Sequence, residues 1–551
     1  MKIYPLDCID FYKANHRPQY PKKTQLVYSN LTARSTHYLP KIEGTDDKIV
    51  FFGLQFFIKD FLIDLFDEKF FSQSKSVVVG RYKRRMDTAL GPNAVDVSHI
   101  AALHDLGYLP ISIRALPEGA VLDAKIPFFT IENTLPEFFW LTNYLETIIS
   151  NYVWKPITSA TLARKYKQLI TNYTIATGAP LDFVKFQGHD FSFRGMSGIQ
   201  DAVMSGAAHL TSFVGTDTVP AIDFLEDYYG ADAEKELIGC SVPATEHSVM
   251  CMGMKDGELE TFKRLITEVH PEGIVSIVSD TWDFWNVVDP NGGIMARLKD
   301  IVLSRKGKVV IRPDSGDPVK IVVGYNVVPT VVKSFSSSHL EQWLSQGYDA
   351  VRIEGGHGTF AYPLQELYNN YNSGKTTKGL SECEVKGLIE CLYDTFGGSK
   401  TDKGYIMLHP NVGAIYGDSI TLPRADAILC GLMKKGFASN NIVFGIGSFT
   451  YEYQTRDTLG TAMKATAGIV DSEFREIFKD PKTDSNSFKK SAKGYLAVKR
   501  DSIGNYVLVD QVSEDVKNND SELKEVFRDG KLIVDSTLSL IRAKINDSIK
   551  Q

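Results

Sequence analysis

Cysteine is scarce and unpatterned. Cys8, Cys240, Cys251, Cys383, Cys391 and Cys430 are scattered over 551 residues with no CxxC pair. That argues against a disulfide frame or a zinc site and for reduced thiols in an intracellular protein. Long apolar runs are also missing: the longest, residues 49–58, ends at Lys59 and is too short to span a bilayer. The opening MKIYPLDCID puts an acid where the apolar part of a secretory leader would lie, so a cytoplasmic protein with no membrane partner is expected. Positive charge is not in excess. Lys and Arg number 61 against 67 Asp and Glu, a net charge of -6, which argues against a general nucleic-acid binder while allowing local basic clusters. With 43% hydrophobic and 23% charged residues, the rest is ordinary for roughly three globular domains, or one large barrel with accessory layers.

Residues 1–47 lack a clean period. CIDFYKANHRPQYP is dense in Asp, Tyr, His, Arg and Pro, as in a loop serving a site or an arm packed on the body. Gln25–Tyr28 predicts a short strand leading to Arg34. Residues 48–66 space their apolar side chains as a core-facing helix, with Lys59, Asp60 and Asp64 opposite. Residues 110–131 predict short strands around the turn Pro117-Glu118-Gly119. Pro136 opens a long buried helix, and a second is expected over residues 159–177.

From about residue 180 the chain becomes regular. Apolar runs at 183–186, 210–214, 238–242, 274–278, 309–311, 412–416 and 442–446 end in GHDFSFRG, GTDT, PATEHS, SDTWD, RPDSG, GDS and GSFTYEYQTRD. Helical composition lies between most of them, the pattern of a parallel α/β sheet. Seven such units fit an irregular α/β barrel of about seven strands better than a doubly wound sheet. The loops after barrel strands share one face, so the polar endings are candidates for one site. The fifth and sixth runs lie about 100 residues apart, which marks an insertion near 330–385 with its own strand-like DAVRIEGGHG, whose EGGHG suits a turn. After residue 485, hairpins are expected at Ser502-Ile503-Gly504 and Asp529-Gly530. The expected organisation is an N-terminal arm and α+β layer over 1–179, the barrel over 180–484, and a β-rich segment over 485–551 that joins the first layer.

His247, in SVPATEHSVM, could work near neutral pH as base, acid or nucleophile, or could be an ordinary surface histidine. Arg312 can hold a phosphate or stack on a ring. Asp314 can accept from a ribose hydroxyl or a metal-bound water. Gly417-Asp418-Ser419 offers a close backbone approach and a second carboxylate. Gly445–Ser448 offers N–H groups for phosphate, but lacks the GK[ST] ending of a P-loop and is a poor dinucleotide fingerprint. Arg456, Lys464, Lys479, Lys489 and Lys490 form a basic series. Any single lysine suits a solvated face, but three kinds of phosphate-recognising group on one set of loops are harder to set aside.

Together DFYKANH, HDFSFRG, GTDTV, EHS, SIVSD, RPDSG, IYGDS, QTRD and FKDP resemble the nicotinamide phosphoribosyltransferase family, in that family's order. The resemblance spans the N-terminal arm, residues 180–320 and 405–500. It implies a type II phosphoribosyltransferase: an irregular barrel with a smaller layer, working as a head-to-tail homodimer with shared sites. The substrates would be nicotinamide and phosphoribosyl pyrophosphate, with magnesium as cofactor, metal ligands unassigned, and ATP as a facultative co-substrate. It implies that Phe191 and the partner's Tyr12 sandwich the pyridine ring and that Asp217 receives the carboxamide. Arg194 and Arg312 would contact phosphate and ring, Asp314, Gly417 and Asp418 the ribose side, and Ser276 would also bind substrate. Gly447, Ser448 and Arg456 would cradle the 5′-phosphate. Ser448 stands where the family usually has glycine, and a positive φ there would be strained. Arg34, Lys464, Lys479 and Lys489 would contact pyrophosphate or ATP phosphates. His247 would be phosphorylated by ATP, with Asp280 or Glu246 orienting its ring and a strand-end cap as the alternative role of Asp280. The rival expectations are a nicotinate phosphoribosyltransferase on the same fold and a non-catalytic binding protein that keeps it.

Overall fold

The computed structural model describes residues 3–356, 358–371, 373, 375–478 and 492–550. The chain first lays down β1 (Thr24–Thr32), β2 (Ile111–Ala115) and β3 (Pro127–Asn133). Helix α1 (Glu146–Thr177) follows. Then come short parallel strands: β4 (Gly188–Asp190), β5 (Gly215–Thr216), β6 (Glu272–Val278), β7 (Lys306–Arg312), β8 (Val412–Tyr416) and β9 (Ile442–Ile446). β10 (Ala462–Val470), β11 (Glu473–Glu476), β12 (Lys524–Arg528) and β13 (Lys531–Leu532) return to the first layer. Two main sheets result. One is antiparallel, in the order β11-β10-β1-β3-β2-β12-β13; the other is parallel, in the order β5-β4-β9-β8-β7-β6. β10, which the sequence reading counted with the barrel, pairs with β1 in the antiparallel layer.

The parallel sheet curls until its edges are linked. Segment 240–245 lies between β5 and β6. Cys240 N–H donates to Val214 O at 2.7 Å and Thr216 N–H to Cys240 O at 2.9 Å. On the other side Ser276 N–H donates to Pro243 O and Thr245 N–H to Ser276 O, both at 2.9 Å. This segment is the third of the expected strands. It forms only isolated bridges because Pro243 cannot donate and interrupts the ladder. The first two expected strands shift as well. Residues 183–186 lie in a 3-10 turn before β4, and residue 210 ends a helix before β5. The β-branched runs of β6 to β9 stand where expected. Val309 and Ile311 are fully buried, while Arg312 reaches the cavity at the strand ends.

The helical expectations change in two places. Residues 49 and 50 pair with 121 and 122, and the helix starts only at Leu54. Buried Glu118 fixes that start by accepting from Gly53 N–H at 3.1 Å and Gln55 N–H at 2.6 Å. The two helices expected after Pro136 are largely one: Pro136 opens a single 3-10 turn, and α1 runs unbroken through Pro156. Burial of residues 155–166 overrides the proline's cost, and Arg164 anchors the helix through a bidentate pair with Asp46 at 2.6 and 2.8 Å. The insertion carries a separate small core of Val328, Leu340, Val351 and Leu364, with EGGHG between two hairpin strands and His357 outside the described residues. Among the described residues no helix is long and apolar enough to cross a membrane.

Glycine is required where β6 and β7 begin: a Cβ on Gly307 would collide with the carbonyl of Gly273. Gly307→Ala should therefore cost about 1–3 kcal/mol, read as a lowered denaturant midpoint. An unchanged midpoint would mean that the two strands separate freely there.

Candidate active site

The C-terminal ends of the parallel strands open into one cavity of about 1120 Å³. β4 delivers Phe191 and Arg194, β5 Asp217, and segment 240–245 leads to Glu246, His247 and Ser248. β7 delivers Arg312 and Asp314, β8 Gly417 and Asp418, and β9 Gly447, Ser448 and Phe449. Close packing sets the rim. A Cβ on Gly445 would lie 2.5 Å from the Phe191 ring, and one on Gly195 would lie 2.5 Å from Ser448 Oγ.

At one end of the cavity His189 Nε2 lies 2.8 Å from Asp217 Oδ1, and Ser241 Oγ donates to the same oxygen at 2.7 Å. An ionised carboxylate only accepts, so Nε2 carries the proton. Among the described residues no hydrogen bond reaches Oδ2. Burial pushes the Asp217 carboxyl up, but the bonds from His189 and Ser241 and the charges of His189 and Arg312 outweigh it, holding it below the usual range. The His189 ring also packs on Phe191, with centroids 4.6 Å apart. Arg312 donates to the Thr245 carbonyl, and burial pulls its guanidinium below its ordinary range.

Across the cavity, His247 is the first residue of a short helix and its side chain is 48% exposed. Its Nε2 lies 3.4 Å from Asp314 Oδ1 and 4.0 Å from Asp280 Oδ1, and its Nδ1 lies 3.3 Å from Thr281 Oγ1. Glu246 turns to Ser248 instead. Asp280 Oδ2 accepts from Asp314 N–H at 3.0 Å, Ser315 N–H at 2.9 Å and Ser315 Oγ at 2.6 Å, so it caps the β7 loop as well as facing His247. Burial raises Asp280, but these donors bring it below the usual range. Burial and the adjacent Asp280 charge raise Asp314. Asp280 Oδ1 is buried without a hydrogen-bond partner. Ligand atoms of His247, Asp280 and Asp314 all lie within 4.8 Å of one another.

Other expected residues lie elsewhere. Ser276 is buried beneath the cavity in β6, its hydroxyl unpartnered. Tyr12 is 61% exposed on the N-terminal arm. Arg34 and Arg456 are exposed near the junction of the two layers, where Arg34 N–H donates to Leu459 O, and Lys464 lies on β10 opposite Asn30. Lys479 and Lys489 fall outside the described residues. Ser448 begins a helical turn and takes no positive φ, while Gly447 before it is extended, so the strain that a positive φ would bring does not arise. His189, Ser241, Thr245 and Ser315 were not singled out. Each sits in a quoted loop motif, but only the strand order brings it to its partner.

The nicotinate phosphoribosyltransferase (NAPRTase) family matches residues 186–531, and the nicotinamide phosphoribosyltransferase N-terminal domain matches residues 6–113. Nicotinamide phosphoribosyltransferase of Acinetobacter baylyi is 51% identical across 100% of this chain and 98% of its own length. The protein of the same name from Mycoplasma pneumoniae is 32% identical across 86% of this chain and 92% of its own. Nicotinate-nucleotide pyrophosphorylase from Pyrococcus furiosus shares the fold, with a TM-score of 0.52 at 12% identity over 99% of this chain and 95% of that one. With its site built at the ends of those parallel strands, this chain belongs to the nicotinamide phosphoribosyltransferases of the NAPRTase family.

Proposed function

We propose that the protein transfers a phosphoribosyl group from phosphoribosyl pyrophosphate to nicotinamide, giving nicotinamide mononucleotide and pyrophosphate, as a cytoplasmic enzyme of NAD salvage. The observation that carries this reading is the Asp217 carboxylate. His189 and Ser241 both occupy Oδ1, which leaves Oδ2 to accept from a carboxamide N–H. A nicotinate carboxylate in the same place would meet like charge, so selection comes by repulsion as well as attraction. Phe191 supplies a flat face for the pyridine ring beside it.

The reaction needs little covalent help. As the bond from C1 to pyrophosphate lengthens, positive charge builds on the ribose, and the pyridine nitrogen must be held in line with C1. In this reading Phe191 and Asp217 hold the base, Asp314 and Asp418 accept from ribose hydroxyls, and Arg194 with the N–H groups of Gly447 and Ser448 holds the 5′-phosphate. Magnesium fits the carboxylates Asp280 and Asp314, because hard cations take oxygen ligands and Asp280 Oδ1 is otherwise unpartnered. When bound, it would neutralise charge on the departing pyrophosphate. His247, exposed at the cavity, would accept the terminal phosphoryl group of ATP on Nδ1, which among the described residues neighbours only the Thr281 hydroxyl, with ADP leaving, while Nε2–H donates to Asp314. A head-to-tail homodimer completes the proposal. Tyr12 is exposed and away from its own chain's cavity, while Phe193 and Phe449 at the cavity rim are exposed too, so a partner's arm could cover them. Arg34, Arg456 and Lys464 would then act at or across that junction.

Two outcomes test this. Initial rates should favour nicotinamide over nicotinate, and Asp217→Ser should lower kcat/KM for nicotinamide by about 1.5–3 kcal/mol, the worth of a hydrogen bond to a charged group, while narrowing the preference. A wild-type preference for nicotinate, or unchanged selectivity in the variant, contradicts the role. His247→Ala should abolish ADP release while leaving slow, ATP-independent nucleotide synthesis. Continued ATP hydrolysis in that variant rules out the phosphohistidine.

A further inference from the structure

A charge cluster of one buried and two half-buried residues lies just behind the side of the cavity proposed to face phosphate. Lys155, on α1, is 4% exposed, and its Nζ sits 3.2 Å from Asp201 Oδ1 and 3.3 Å from Glu452 Oε2. Asp201 is in the first turn of α2 (Ile199–Leu210), which follows the Arg194 loop. Glu452 ends the turn that begins at Ser448, and its N–H donates to Ser448 O at 2.8 Å. Ser197 joins the two: its N–H donates to Asp201 Oδ2 at 3.2 Å, and its hydroxyl donates to Glu452. The same loops touch where Gly195 meets Ser448. None of the three charged residues lines the cavity.

The two carboxyls share one ammonium. Burial and the hydrogen bond with Glu452 push the Asp201 carboxyl up. Burial pushes Glu452 the same way, but bonds from Ser197, Asp201 and Lys155 overcome it and hold it down. One ammonium therefore faces two carboxyl groups whose affinities for a proton are shifted in opposite directions. Such a cluster is directional, unlike an apolar contact, and it links α1 to both loops at once. Eleven residues along the same helix face, Tyr166 bonds Thr450 Oγ1 at 2.8 Å and Ile420 O at 3.3 Å. Thus α1 grips the β9 turn at two points, and Lys155 also reaches the first turn of α2, which follows the Arg194 loop.

We propose that Lys155, Asp201 and Glu452 are positioning residues that set the spacing between the Arg194 loop and the Gly447–Ser448 turn, and so the fit of the phosphoribosyl 5′-phosphate. The proposal rests on the reading that these two loops receive that phosphate. Conserving shape while removing the charge, Glu452→Gln should raise KM for phosphoribosyl pyrophosphate about tenfold, with kcat and KM for nicotinamide within about twofold. Ser197→Ala should shift the same constant in the same direction, and Tm should stay near that of the wild type in both. Hydrogen exchange in peptides covering 194–200 and 447–453 should quicken in both variants. Unchanged exchange together with an unchanged KM for phosphoribosyl pyrophosphate overturns the proposal. So does an equal rise in both KM values with a fall in Tm, which marks a purely structural role. If the wild type turns over no phosphoribosyl pyrophosphate, the functional reading fails instead. The exchange measurement, which needs no substrate, then still decides whether the cluster holds the loops.

Discussion

Four backbone hydrogen bonds around residues 240–245 determine much of this molecule. β5 is only two residues long and β6 ends the sheet on the other side. Left open, each would expose an unpaired edge. Segment 240–245 satisfies both through single bridges, with Pro243 placed where only its carbonyl is needed. In doing so it threads Ser241, Thr245 and His247 between the ends of β5 and β7. Ser241 then reaches Asp217, the Thr245 carbonyl receives Arg312, and His247 faces Asp314. The contact that closes the ring also joins the two halves of the site.

Those halves use carboxylates in opposite ways. Asp217 is supplied with donors on one oxygen and sits near Arg312, which keeps it ionised through the neutral range. It is a fixed negative charge, suited to reading a neutral amide and rejecting an acid. Asp314 is short of donors and lies beside Asp280, which raises it. Two carboxylates that close together call for a cation between them or a proton on one. His247 at 3.4 Å answers part of that demand, and the unpartnered oxygen of Asp280 leaves room for a divalent ion to answer the rest. One cavity thus offers a permanent anion at the base end and an adjustable anionic cluster at the phosphate end.

How much of this was legible from the residues depended on element length. Strands β6 to β9 are five to seven residues long and carry Val and Ile, and they stand where the pattern put them. β4 and β5 are too short to carry a period, so the neighbouring apolar residues, which belong to turns and a helix end, stood in for them. Helix α1 was expected as two helices, whereas the burial of residues 155–166 carries it unbroken through Pro156. The polar loop motifs marked the site well: Phe191, Arg194, Asp217, His247, Arg312, Asp314, Gly417, Asp418, Gly447 and Ser448 converge on one cavity. His189 and Lys155 were not legible, because each acts through a partner distant in sequence. The backbone at Ser448 has no positive φ, so a serine fits where the family usually has glycine.

The antiparallel layer bears on the site through the same logic. β10 carries Lys464 directly after the Arg456 turn, and Arg34 leaves β1 beside that turn. Three cations therefore sit at the seam between the layers, away from their own chain's cavity lining. Within one chain they have no phosphate to meet. Tyr12, exposed on an arm that Glu146 at the start of α1 ties down through Lys13, is in the same position. The dimer proposed above would bring these cations and this exposed ring to the strand ends of a second copy. The rigidity of α1 matters here as well. The helix that holds the arm through Glu146 also holds the Glu452 turn and the start of α2 through Lys155, so both regions are tied to one continuous element.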